Sequence, residues 1–340
     1  MRILNKTLFR TATAALLLAG MTVMAQAAPF RLIVTHLEPP LVPNSVMDLA
    51  VALGYFEREG VDLELVRVQQ TPSAIAAIQS GEGEMANVGL DALLQLVARG
   101  STDLKAVVSP NKSLPYLIAA KDEIATVADL AGHSFAIGRP GSLDHSLSSR
   151  VLTADGVNLD DVDFVAIGQP DVRAQALAAG QVDATTISIG VWLSLPDKKG
   201  LHVLVDQDAY YAAAPVVNKV NIVSQKALDE RRDDVEKVIT ALVKISRDFA
   251  ADPSKWVDAI APFQPNMSRA DLETLAASFA KSWSVNGGMN AKELAYSTDW
   301  LYQTEDFKDL APVAMTDWAD LTLVGDVLKT LGTDATTDAP

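Results

Sequence analysis

One phrase occurs twice in this chain, and it limits the architecture more than any other feature. Ala77-Ile78-Gln79-Ser80-Gly81-Glu82-Gly83-Glu84-Met85-Ala86 reads as a helix end, a glycine stop, an acidic residue and the start of a strand. Ala176-Leu177-Ala178-Ala179-Gly180-Gln181-Val182-Asp183-Ala184 reads the same way. Short strands are expected just after, at 86–89 and 185–188. Gly81 and Gly180 fall one step past a helix, where left-handed backbone is common and only glycine adopts it without strain. Two copies of one helix–strand unit imply two similar lobes. Two lobes imply a cleft, and a cleft implies a ligand.

The first 27 residues are read as a secretory signal peptide. Arg2, Lys6 and Arg10 form a positive leader, 12–23 is apolar and uncharged, and Ala25-Gln26-Ala27 is an A-x-A cleavage site. Ala28 is the expected mature start. The apolar run is short for a membrane span, and no later segment is long and apolar enough for one. Cysteine is absent. That excludes disulfides, a thiol nucleophile, a Cys-ligated metal and a lipid-bearing cysteine at the cleavage site. A soluble, exported protein of a Gram-negative periplasm is expected, without a lipid anchor and monomeric. The formal net charge of −15 becomes more negative once the basic leader is lost. Such acidity disfavours nucleic acid and anionic membranes, while leaving the charge preference of one local pocket open.

Strands and helices alternate through the first two thirds. Strands are expected at 30–35, 61–66, 84–88, 104–109, 116–120, 134–137, 162–167, 201–205 and 220–224, with the repeat's own strand at 185–188. Ser45-x-x-Asp48 reads as a capping box opening a helix that stops at Gly54. After Lys226 the period becomes helical, with candidates at 230–251, 269–283, 291–303 and 317–331. Residues after 332 form a small polar tail. This alternation implies an α/β fold with mostly parallel sheets. In open sheets of this kind ligands bind beyond the carboxyl ends of the strands. Four loops lie there: 36–41, 89–91, 138–145 and 188–192.

The loop Gly138-Arg139-Pro140-Gly141-Ser142 joins a strand to a helix. Its glycines let backbone approach a ligand, and free N–H groups at a helix start favour an anion. Arg139 is suited to a two-pronged contact with a carboxylate or sulfonate. An ordinary connecting loop with a solvated arginine fits the same residues. Gly89 and Asp91 follow the first repeat; Asp91 is either a ligand contact or, more in keeping with its type, a helix cap. Ser188, Gly190 and Trp192 follow the second repeat, with Trp192 either a stacking wall or core. His36 and Glu38 follow the first strand.

Other chemistries find no support. Gly81-x-Gly83-x-x-Ala86 fits a dinucleotide pattern, but a helix precedes it, a strand follows it, and Glu82 and Glu84 would repel pyrophosphate. No nucleophile–base motif occurs. His36, His133, His145 and His202 lack metal-ligand spacing. Neither a cofactor, a metal nor catalysis is expected.

Residues 52–65 (Ala-Leu-Gly-Tyr-Phe-Glu-Arg-Glu-Gly-Val-Asp-Leu-Glu-Leu), the two repeat phrases and Asp129-Leu130-Ala131-Gly132-His133-Ser134-Phe135-Ala136-Ile137 with Gly141-Ser142 after it form one ordered set. In that order and spacing the chain resembles periplasmic substrate-binding proteins of ABC importers, in the branch of sulfonate, taurine and nitrate binders and thiamine-precursor-type proteins. The resemblance covers 30 to about 225. It implies a type II-like, two-lobe fold with a hinged cleft. Lobe one takes 28–112 and 219–332, lobe two takes 113–218, and the crossings fall near 110–116 and 215–221. It also implies delivery of a small organic anion to a membrane permease served by a cytoplasmic ATPase. A pyrimidine binder or enzyme, and a sensor docking on a receptor, are the alternatives. Two departures stand out: Gly83-Glu84 replaces the usual Val-Asp, and Arg139-Pro140 is not a general feature of the branch.

Overall fold

The computed structural model describes residues 28–112, 116–140 and 142–335. The signal-peptide reading of 1–27, part of the first crossing, Gly141 and the end of the tail lie outside them. Among the described residues, ten strands form two five-stranded sheets. Sheet one holds β1 (Phe30–Val34), β2 (Leu63–Arg67), β3 (Met85–Gly89), β4 (Leu104–Asn111) and β10 (Lys219–Ser224), in the order β2-β1-β3-β10-β4. Sheet two holds β5 (Tyr116–Lys121), β6 (Ser134–Ile137), β7 (Asp163–Ala166), β8 (Ala184–Ser188) and β9 (Leu201–Val205), in the order β7-β6-β8-β5-β9.

The two orders are one plan used twice. β1 pairs in parallel with β2 and β3, as β6 does with β7 and β8. β10 runs antiparallel to β3 and β4, as β5 does to β8 and β9. Each sheet is therefore mixed: four strands point one way and one is reversed. The reversed strand is in each case the one reached from the other sheet, β5 directly after β4 and β10 after β9.

The doubled phrase is the same turn in both sheets. Gly81 and Gly180 have φ of 79° and 72°. Beyond each glycine the next N–H reaches back into the helix, Glu82 to the Ala77 carbonyl and Gln181 to the Ala176 carbonyl, both at 2.9 Å. These bonds satisfy carbonyls that a helix end leaves open. The acid of each phrase then ties its strand to the neighbouring one. Glu84 accepts the Arg31 backbone N–H at 2.7 Å, and Asp183 accepts that of Ser134 at 2.9 Å.

The capping box expected at Ser45 does not form. Ser45 has helical φ and ψ and makes no side-chain cap. Its hydroxyl instead accepts the Trp256 indole N–H at 3.0 Å. Asp48 is turned to His36 and Arg67 rather than back to the helix start. Tertiary partners have outbid a local one. The helical end packs on sheet one, where the helix Gln225–Ala251 contacts β4 and β10. Trp256, Phe279 and Trp283 meet there at 5.4–6.5 Å between ring centroids, and burying each ring stabilises by roughly 1.5–3 kcal/mol. The expected helix at 317–331 is two, Met315–Trp318 and Thr322–Leu331. No described helix is long and apolar enough to cross a membrane.

Candidate ligand-binding cleft

A cavity of about 220 Å³ lies at the carboxyl edge of both sheets. Thr35 and His36 reach it from the end of β1, Asn111 from the end of β4 and Ser188 from the end of β8. Tyr116 and Lys219 open the reversed strands β5 and β10, so their first residues arrive at the edge where other strands finish. Asn44, at a 3₁₀ turn before the helix Val46–Ala52, completes one wall. Larger hollows of about 620 and 690 Å³ open elsewhere. Neither is lined by residues of this edge.

Lys219 supplies the positive charge. Its ammonium donates to Thr35 Oγ1 at 2.6 Å. Burial pulls its pKa down to about 8, with the negative Asp91 pulling the other way. His36 is held by Asp48, whose Oδ2 lies 2.7 Å from His36 Nε2 while its Oδ1 accepts from Arg67 at 2.6 Å. The Asp48 side chain is only 2% exposed. Burial alone would raise its pKa, but the bonds from His36 and Arg67 outweigh it and hold the carboxylate low. An ionised carboxylate only accepts, so Nε2 carries the proton and the ring's orientation is set.

Lobe-two groups are turned inward. Asp144 accepts the Gly138 N–H at 2.7 Å, and its other oxygen lies 2.8 Å from the Ser142 hydroxyl. The helix start that a ligand anion would occupy thus already holds a carboxylate. Arg173, 3% exposed, lies 3.5 Å from Asp144 and donates to the carbonyls of Gly168 and Thr186. Tyr116 is pushed up to about 12 by burial and then by the charge of Asp144.

Among the residues singled out in the sequence, the cavity gathers His36 and Ser188. Ser188 also caps its helix, accepting the Val191 N–H at 3.3 Å. Gly89 backs the site: its N–H donates to Thr71 Oγ1, and an added Cβ would stand 2.3 Å from Asp91 Oδ1. Asp91 is the second residue of the helix Leu90–Ala98, and no side-chain bond caps that helix start; burial, and secondarily Asp306, raise its pKa against the pull of the N–H groups of Ala92 and of Asp91 itself. Gly190 lets the second lobe come close, since a Cβ there would be 3.4 Å from that of Leu41. Gly138 and Ser142 serve Asp144, and Gly141 is outside the described residues. Arg139 is 67% exposed and faces Asp306 at 3.8 Å. Glu38 is exposed, and Trp192 packs on the sheet-two core beneath Lys198. Lys219, Thr35, Asn44, Asn111 and Tyr116 were not singled out. A lone cation opening an apolar strand beside a crossing was the available signal for Lys219. No grouping of side chains among the described residues suits a metal ion.

The profile of NMT1/THI5-like proteins matches residues 46–255, well over half of the chain. The chain belongs to the NMT1/THI5-like family. No curated protein sequence matches it. Solved structures similar to this NMT1/THI5-like chain include a protein described as the periplasmic sulfonate-binding protein SsuA of a putative sulfonate ABC transporter, from Methylobacillus flagellatus KT. It has a TM-score of 0.71 at 16% identity, covering 92% of this chain and 98% of that one. The periplasmic aliphatic sulphonate binding protein SsuA from Escherichia coli gives 0.67 at 18%, covering 86% and 92%. The desulfurization enzyme DSZB gives 0.63 at 16%, covering 89% and 99%. The fold is thus the periplasmic binding protein fold of ABC-import substrate-binding proteins, which an enzyme also shares.

Proposed function

We propose that this NMT1/THI5-like protein is the periplasmic solute-binding component of an ABC importer. It takes a small organic anion, a sulfonate or carboxylate, between its lobes and presents it to the permease. The observation that carries this reading is the half-buried ammonium of Lys219, set in a cavity walled by both sheets of a strongly acidic protein. A partly desolvated charge is costly unless paired; Asp91 offsets it only in part, since burial still prevails and lowers the Lys219 pKa, and a ligand anion would add a direct counter-charge. The lobes exchange chain near 110–116 and 215–221. Hinging there closes the cleft, and ligand contacts made by both lobes favour the closed form.

The reading is non-catalytic. Ser188 shares the cavity with His36, yet no hydrogen bond joins them, and Ser188 accepts from Val191 instead. A thermal-shift screen of alkanesulfonates, short carboxylates and nitrate, followed by calorimetry, tests it. A native-state binder raises the melting temperature in proportion to the logarithm of its concentration over Kd. Binding of an anion with small-angle scattering showing compaction is the expected result. Turnover of a bound sulfonate or sulfinate would replace this reading with an enzyme.

A further inference from the structure

Three asparagines run from the core of sheet one to the cavity, each 2% exposed or less. Asn44 Nδ2 donates to Asn87 Oδ1 at 3.1 Å, and Asn87 Nδ2 donates to Asn221 Oδ1 at 2.8 Å. Asn221 Nδ2 lies 3.7 Å from the Met47 sulfur and 3.4 Å from the Met85 sulfur. An amide can be turned end for end, but in such a chain one amide turns only if all do. Reversal would face Asn221 Oδ1 against two thioether sulfurs. Those sulfurs accept weakly and donate nothing, so two bonds would become two lone-pair contacts. The methionines therefore set the direction of the whole chain.

The consequence appears at the far end. Asn44 Oδ1 is buried without a partner, and so is Asn111 Oδ1; both residues line the cavity. Buried acceptors of this kind are rare in native proteins and call for a donor. Lys219, bonded to Thr35, marks the cationic part of the same cavity.

We propose that the ligand is a small anion that also bears an N–H or O–H donor, and that the Met47/Met85–Asn221–Asn87–Asn44 relay selects it by holding an acceptor toward the cleft. This rests on the binding-protein reading above. A ligand that ends in a methyl group leaves Asn44 Oδ1 unpaired on binding, as it was before. A donor-bearing one satisfies it. Asn44 is a specificity residue, and Asn87, Asn221, Met47 and Met85 are positioning residues.

Calorimetry on the full mature chain tests this with short alkanesulfonates matched in length and ending in amino, hydroxyl or methyl groups, and with the matching carboxylates. Expected is a preference of about tenfold or more for the donor-bearing members. Asn44→Leu should collapse that preference, read as the ratio of donor-ended to methyl-ended affinities in the protein that remains folded by circular dichroism. Met47→Leu combined with Met85→Leu, close in volume, should narrow the preference while keeping the fold by circular dichroism. Without ligand, nuclear Overhauser contacts between the Asn221 side-chain NH₂ and the two methionine methyls are expected. Equal binding of all members, or absence of those contacts, overturns the relay and leaves the anion-binding reading intact. Failure of every anion to bind overturns both.

Discussion

The two sheets share a scaffold and differ in chemistry. Each uses a glycine-stopped helix, a central strand and an acid that clamps the neighbouring strand. Glu84 pairs with Arg31 at 2.7 Å, and Asp183 pairs with Lys121 at 2.6 Å. Yet sheet one, with the turn at Asn44 beside it, brings Lys219, His36, Asn44 and Asn111 to the cleft, while sheet two brings Tyr116 and Ser188. The charges of the second lobe, Asp144 and Arg173, neutralise each other and bond to nearby backbone. One plan thus frames the cleft from both sides, while most of the polar groups that line it stand on one of them.

The sharpest way to break this comparison is to remove one cation from each side. Lys219→Met should weaken anion binding by about tenfold to a hundredfold, the worth of a charge-assisted hydrogen bond. Arg173→Met should instead cost stability, because it leaves Asp144 buried beside unpaired carbonyls, with little change in affinity for the protein that remains folded. Calorimetry and urea unfolding on both variants separate the two outcomes, and affinity losses of equal size would erase the distinction between lobes. Lys219 also sets a pH dependence. Burial lowers its pKa to about 8, so the charged form prevails below that value. Anion affinity should hold near neutrality and fall as pH rises past it.

A symmetric effect, on stability and not on affinity, is expected of the two clamps. Burial alone would raise both carboxyls. Arg31 outweighs it at Glu84, and Lys121 with Ser134 does so at Asp183, so both are held below the ordinary range. Groups with lowered folded pKa stabilise fully above their unfolded value, about 4, and lose that contribution as pH falls through the folded one. Glu84→Gln and Asp183→Asn should each cost about 1–3 kcal/mol at neutral pH. Measured by urea unfolding, the gap from the parent protein should shrink below pH 4. A gap that stays constant with pH would show that the clamps act through shape alone.

Much of the frame was legible because it is local. Gly81 and Gly180 announce helix ends by sequence, and strand alternation places β1, β6 and β9 closely. The cleft was half legible. The rule that ligands sit at carboxyl ends of strands found His36 and Ser188, but it presumes that every strand runs one way. β5 and β10 are reversed by the crossings, so Tyr116 and Lys219 enter the site from strand beginnings. No local pattern announces a reversal, which depends on which sheet a strand joins. Asn44 and Asp48 were hidden for a related reason. Their roles are set by partners between 12 and 43 residues away, and the capping pattern at Ser45 pointed to a nearer one.

The smallest effect should come from Arg139, the residue that the sequence most favoured for binding an anion. It stands on the lobe-two rim, two-thirds exposed, opposite Asp306 in the helical end. Exposed ion pairs are screened by water and salt and contribute little. Arg139→Ala should therefore change anion affinity less than about threefold, far below the loss at Lys219. What change there is should come from long-range attraction and the rim pair, so it should disappear between low and high salt. A tenfold loss that survives high salt would place the guanidinium on the ligand in the closed form. Recognition would then be shared between the lobes, and the asymmetry drawn between the two sides of the cleft would not hold.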